Sequence, residues 1–255
     1  MPPLPRIVES FQSSVRYKLL FLVLSPLVVV LPILLVLMLY QGSAFFDRLL
    51  NFKIHSDLVV AHEYMDRVIS GVGSNVGRTA ESYQVVSALE GEETQAIALL
   101  LAEERERNTL DFLNLFDAQG NLLAAGNEQT RRDGYSGWRV VQTAAAGRLE
   151  TQIDLFSSEQ LAGISERLRE TAFIPILPTE NAAPSDRKSE TRGMVVHAAA
   201  PIFNEQKQLA GILHGGLLLN RHLDFVDTIN SIVYKAGSLP LGSQGTVTLF
   251  LDDVR

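Results

Sequence analysis

The side chains able to do chemistry are few and scattered. The chain has five histidines, one tryptophan and no cysteine. Without cysteine there is no thiolate nucleophile, thiolate metal site or disulfide. His55, His62, His197, His214 and His222 fit no HExxH zinc helix, and neither a Walker loop nor a GxSxG elbow occurs. The carboxylates pair only in helix-surface runs. No catalytic residue and no metal site is therefore expected in this segment, and recognition remains as the available chemistry.

Two places concentrate recognition chemistry. His197 and His214 lie in two β-rich runs, residues 193–203 and 209–220, joined by NEQKQ. A turn at residues 204–207 places Phe203 against Gln208 and His197 directly opposite His214. Val195, Ala199, Pro201, Ile212 and Gly216 share that face, and their small side chains leave room for a pocket. A histidine pair there would contact a ligand or sense pH; the alternative is two histidines on a partly solvated or loop-covered sheet. A register slip of one residue would put them on opposite faces. The second place is RRDGYSGWR, with Arg131, Arg132, Tyr135, Trp138 and Arg139. Arginine holds carboxylates in a two-pronged grip and aromatic rings exclude water, so Arg132, Tyr135, Trp138 and Arg139 join the two histidines as candidate ligand-binding residues. The alternative is a surface loop anchored by its tryptophan.

The elements that must carry these residues follow from periodicity. Phe46, Leu50, Ile54, Leu58, Ala61, Met65, Val68 and Val72 recur in steps of three and four, one face of a long helix. Gly71, Gly73 and Gly77 mark a break in it, or a face where another backbone comes close. A helix fits residues 95–107. Residues 111–126 read as two strands around Gly120 and Asn121, with Asp117 as a turn residue. A helix follows Trp138, a strand fits residues 150–156, and Ser158 is placed to cap a helix over residues 159–169. Residues 173–177 form a short strand and residues 178–192 an exposed loop. The histidine hairpin comes next. Its other face, Met194, Val196, Ala198, Ala200, Ile202, Leu209, Leu213 and Leu217, is wholly apolar and should pack on the long helix. The helix after it carries Leu223, Val226, Ile229 and Val233 on one face, and residues 245–255 read as a strand.

Upstream of all this lies residues 19–39, LLFLVLSPLVVVLPILLVLML, 21 residues without a charge. At 1.5 Å per residue it spans one bilayer core of about 30 Å. Pro26 and Pro32 are better tolerated in a membrane than in water. The run exceeds the h-region of a cleaved signal peptide, so it is read as an uncleaved anchor. Arg6, Arg16 and Lys18 precede it and favour a cytoplasmic N-terminus. The net charge is −7 and the basic residues are not clustered, which argues against a nucleic-acid partner.

The order of elements, and the runs FDRLLNFKIHSDLVVAHEYMDRV, NLFDAQGNLLAAG and PIFNEQKQLAGILHGGLLLNRHLDFVDTI, resemble the extracytoplasmic part of bacterial double-Cache receptors. The resemblance covers about residues 15–255. It implies an α+β fold: a transmembrane helix, a long stalk helix, then a PAS-like Cache domain around an antiparallel sheet of about five strands. The expected layout is a cytoplasmic tail (1–18), the membrane helix (19–40), a stalk and helical segment (41–110), a membrane-distal Cache domain (111–240) and the first strand of a cut second Cache module (245–255). It also implies an inner-membrane receptor with a periplasmic or extracellular sensor, a small-molecule ligand and a homodimer. The output is expected to be a histidine kinase acting on a response regulator, with ATP and magnesium in the kinase domain outside this segment and no cofactor within it. A chemotaxis receptor or a cyclic-dinucleotide enzyme is the alternative output. A membrane-anchored periplasmic scaffold or enzyme is the alternative of another class. In Cache domains the segment between early and late strands closes the pocket, which is where RRDGYSGWR falls. The tyrosine–arginine–tryptophan–tyrosine signature of the amino-acid-sensing group is missing.

Overall fold

The computed structural model describes residues 15–91, 94–127, 137–177, 186–234, 245–252 and 254. The chain divides into two compact units, Met1–Val59 and Val60–Arg255. Helix α1, Val15–Ala80, runs through Pro26 and Pro32 without ending. Within the first unit, Lys18–Met38 is long and apolar enough to cross a membrane and has no buried residue. In water each exposed leucine or valine there would forgo about 1.5–3 kcal/mol of burial energy. Further along, Lys53 Nζ and Asp57 Oδ1 form an i,i+4 ion pair at 2.8 Å.

The second unit is built on a five-stranded antiparallel sheet. Two helices, α2 (Tyr83–Glu90) and α3 (Thr94–Arg107), precede strands β1 (Phe112–Phe116) and β2 (Leu122–Ala125). Helix α4 (Arg139–Ala145) leads to β3 (Glu150–Phe156), then α5 (Ser158–Ile164) and α6 (Glu166–Ala172). Two-residue strands β4 (Ile174–Pro175) and β5 (Ser189–Glu190) pair apart from the main sheet. The hairpin β6 (Gly193–Phe203) and β7 (Leu209–Leu218) precedes α7 (Leu223–Val233). The sheet order is β2-β1-β7-β6-β3. This is the expected α+β arrangement of an apolar N-terminal helix and a central five-stranded antiparallel sheet.

The apolar hairpin face packs as expected. Val196, Ala198, Ala200, Ile202 and Leu213 form one core with Val72, Val76 and Ala80 of α1, helped by α2, α3 and α7. Gly73 and Gly77 do not break α1; they admit the side chains of Thr151 and Leu149. A Cβ on Gly73 would stand 2.3 Å from Thr151 Oγ1, and one on Gly77 2.7 Å from Leu149 Cδ1.

Several expectations are corrected. Ser157, not Ser158, caps α5, in a capping box with Gln160. The single helix over 159–169 is two, because Ser165 is extended at φ −164°. Helix α7 buries Phe225, Ile229 and Val233, whereas Leu223 is exposed. Part of the loop at 178–192 is structured: Glu190 is buried in β5, with Arg192 Nη2 2.8 Å from its Oε2. Residues 245–250 pair with no strand, and one bridge joins Leu251 to Val254. Most consequentially, the histidine face is not open. Helices α4, α5 and α6 cover it with a second core of Phe112, Phe116, Val140, Val141, Phe156, Leu161 and Ile164.

Candidate functional site

The site is a polar row crossing four strands beneath that second core. Strand β1 carries Asn114, whose cross-strand partner on β7 is His214. On β6, His197 pairs with Gln152 of β3, and Asp154 lies two residues farther along β3. The two histidines are not directly opposite. His197 pairs with Gly216 and His214 with Ala199, because Phe203 pairs with Leu209 and the register shifts once more between Ile202 and Phe203. The displacement is two residues, so both rings keep one face and meet diagonally.

Both histidines and Asn114 are fully buried. His197 Nδ1 lies 3.0 Å from His214 Nε2, and His197 Nε2 lies 3.0 Å from Asp154 Oδ2. Asp154 also accepts from Gln152 Nε2. Burial pushes the pKa of His214 well below the usual histidine value, and the neighbouring His197 pushes it the same way. Burial also lowers His197, against an opposing pull from Asp154. With both rings neutral and Asp154 ionised, the protons have one consistent placement. His197 Nε2–H donates to Asp154, and His214 Nε2–H donates to His197 Nδ1. His214 Nδ1 is left as an acceptor, and among the described residues neither it nor either amide atom of Asn114 has a hydrogen-bond partner.

Aromatic rings enclose the row. Trp138 stacks on Phe156 at 4.7 Å between ring centres and lies 4.9 Å from His214. Phe112 lies 5.1 Å from His214, and Phe156 meets His197 edge-on at 4.9 Å. Trp138, a candidate in the sequence, sits at the N-cap of α4, and this position brings it onto the histidines. Arg139, one residue on, is turned away. It is largely exposed and its Nε is 3.1 Å from Glu150 Oε1, so it is not part of this cluster. Arg131, Arg132 and Tyr135 lie outside the described residues.

Asn114, Asp154, Phe112 and Phe156 were missed from sequence. Asn114 had a signal: it is the one polar residue in FLNLF, all five positions of which are buried. Among the described residues no three His, Asp or Glu side chains converge as a metal site would require. The row has no nucleophile. It offers one acceptor nitrogen and one amide beside aromatic rings.

No family model and no curated protein matches this sequence. Solved structures do. The chain is similar to the Escherichia coli DcuS sensor domain, at 16% identity over 66% of this chain and 98% of that one, with a TM-score of 0.41. It is similar to the sensor domain of the Vibrio cholerae histidine kinase DctB, at 14% identity over 64% and 54% of the two chains, with a TM-score of 0.44. Its structural neighbours are sensor domains. A third is the ligand-binding domain of the Pseudomonas fluorescens chemoreceptor CtaA in complex with L-serine, at 13% identity over 69% and 62%, with a TM-score of 0.40.

Proposed function

We propose that this chain is the extracytoplasmic sensing segment of an inner-membrane signal-transduction receptor, and that its parent is a two-component sensor histidine kinase. Lys18–Met38 anchors it. The small-molecule ligand is read on the Asn114–His214–His197–Asp154 row. In the parent, a homodimer passes the change to a kinase domain that uses ATP and magnesium and hands phosphate to a response regulator.

The observation that carries the reading is the set of three buried, unpartnered polar atoms on Asn114 and His214. Each costs about 1–3 kcal/mol when left unsatisfied. A ligand that satisfies them recovers that energy on binding. To signal, it must bind two arrangements of the protein with different affinity. The same hairpin touches the row on one face and Val72, Val76 and Ala80 of α1 on the other, so a shift in β6 and β7 reaches the helix directly.

The test is a thermal-shift screen of the chain in detergent against amino acids and small organic acids. A ligand at 100 times its Kd adds about 2.7 kcal/mol of stability. A hit that disappears in both Asn114→Leu and His214→Leu supports the site. A hit indifferent to both, or no hit with a folded chain, refutes it. The kinase assignment is tested separately, by transfer of labelled phosphate from ATP to a histidine in the full-length parent; absence of transfer under every ligand condition overturns it.

A further inference from the structure

The second unit contains another polar cavity, of about 610 Å³, that shares no residue with the histidine row. Its volume is within the range of about 300–1,000 Å³ usual for small-molecule sites. Arg105 at the end of α3, Asp111 before β1, Asn127 after β2, Ser165 and Arg167 at the α5–α6 junction, and His222 before α7 all line it.

Two of its residues hold complementary, unpartnered atoms. Among the described residues, Arg105 Nε and Asn127 Oδ1 are both buried without a hydrogen-bond partner. Arg105 Nη2 lies 3.3 Å from Glu106 Oε1, a glutamate that is mostly in solvent. Asn127 is fixed by its other end, since Nδ2 donates to Ile164 O at 2.7 Å. That fixes which atom is the free one. Asp111 Oδ2 accepts from the Leu218 amide at 2.7 Å, and His222 Nδ1 accepts from the Phe225 amide at 3.1 Å. The buried unpartnered atoms of the cavity are thus a guanidinium donor, with the exposed Arg167 nearby, and an amide acceptor.

We infer that this cavity is a second ligand site, for a small carboxylate carrying a hydrogen-bond donor beside its carboxyl group. The carboxylate pairs with Arg105 and Arg167, because a guanidinium matches the two carboxylate oxygens. The adjacent hydroxyl or ammonium donates to Asn127 Oδ1. Asp111 on the wall disfavours multiply charged anions such as phosphate.

The test uses three molecules with one carbon skeleton: butyrate, 2-hydroxybutyrate and 2-aminobutyrate, titrated calorimetrically into the full chain in detergent. The inference expects saturable 1:1 binding of the hydroxy or the amino acid about tenfold tighter than butyrate, and the two arms identify the donor. Asn127→Leu should erase that preference while leaving butyrate unchanged. Arg105→Gln should weaken all three, as should Arg167→Gln, whose exposed side chain can change without harm to the fold. Equal affinity for the three, indifference to both arginine changes, or no saturable binding by a normally folded chain overturns the inference. Binding lost in His214→Leu but kept in Arg105→Gln also overturns it, and assigns the ligand to the histidine row instead.

Discussion

Acidification should destabilise the second unit through its buried histidines. His214 is fully buried and His197 equally so, and burial depresses both. A histidine whose folded pKa is lowered contributes stability above its unfolded pKa, about 6.5, and loses it as pH falls below that value. Below pH 6.5 the unfolded chain takes up protons that the folded chain refuses. From pH 7.5 to 5.5 a histidine that stays neutral when folded forfeits on the order of 1 kcal/mol. The second proton is refused more strongly than the first, because the two rings are 3.0 Å apart at their nitrogens. The assay is urea unfolding in detergent at pH 7.5, 6.5 and 5.5, followed by fluorescence of Trp138, the chain's single tryptophan, which sits in the same cage. His214→Leu removes one titrating ring and should lose less stability than wild type over this range, by on the order of 1 kcal/mol. Parallel pH dependence in the two proteins would refute the reasoning, because every other titrating group is common to both.

Glu190 acts in the same direction in a lower pH window. Hydrogen bonds from Arg192 hold its pKa at about 2, below the ordinary 4.5. Its stabilisation, about 3 kcal/mol, is present above pH 4.5 and lost as pH falls toward 2; Glu190→Gln should flatten the acid limb of stability between those values. Gly216→Ala should destabilise by about 1–3 kcal/mol in urea unfolding, since a Cβ there would stand 2.6 Å from the Phe112 ring and 2.8 Å from the Val196 carbonyl oxygen. Ser157→Ala removes the capping box of α5 and should cost about 1 kcal/mol, visible as faster amide exchange at Gln160, whose N–H the serine holds.

The hairpin shows how far the sequence could be read. Strict alternation over 193–203 assigned each side chain to a face, and the apolar set packs on α1 as that alternation requires. The register was off by two residues, because alternation does not encode a bulge or the length of a turn. The error was even, so the face survived and the histidines still meet. Helix α2 was passed over; its eight residues carry too few turns for a clear period, and Ser82 capping Val85 N was its only local signal. The closed face was the larger miss. Helices α4, α5 and α6 are seven residues each, and nothing in such short segments says which side of a sheet they will cover. Trp138 was legible as an anchor, yet the direction of Arg139 was set by Glu150, a partner eleven positions away that local pattern does not reveal.

Asn114 separates a site from a scaffold. A core built only for stability would place an apolar side chain there, because the residue is fully buried in β1 and both its amide atoms lack partners among the described residues. Leucine has nearly the same shape and no polar atoms to satisfy. Asn114→Leu should therefore raise stability by about 2 kcal/mol, the desolvation cost of the stranded amide. Urea midpoints at pH 7.5, with an unchanged m value, measure it. The same variant should lose the ligand-induced thermal shift, since it removes the donor and acceptor that face His214. Higher stability together with a lost response is the signature of a side chain kept for binding at the expense of the core. Lower stability in Asn114→Leu would mean that the amide is satisfied in the folded protein, and the polar row would then be structural.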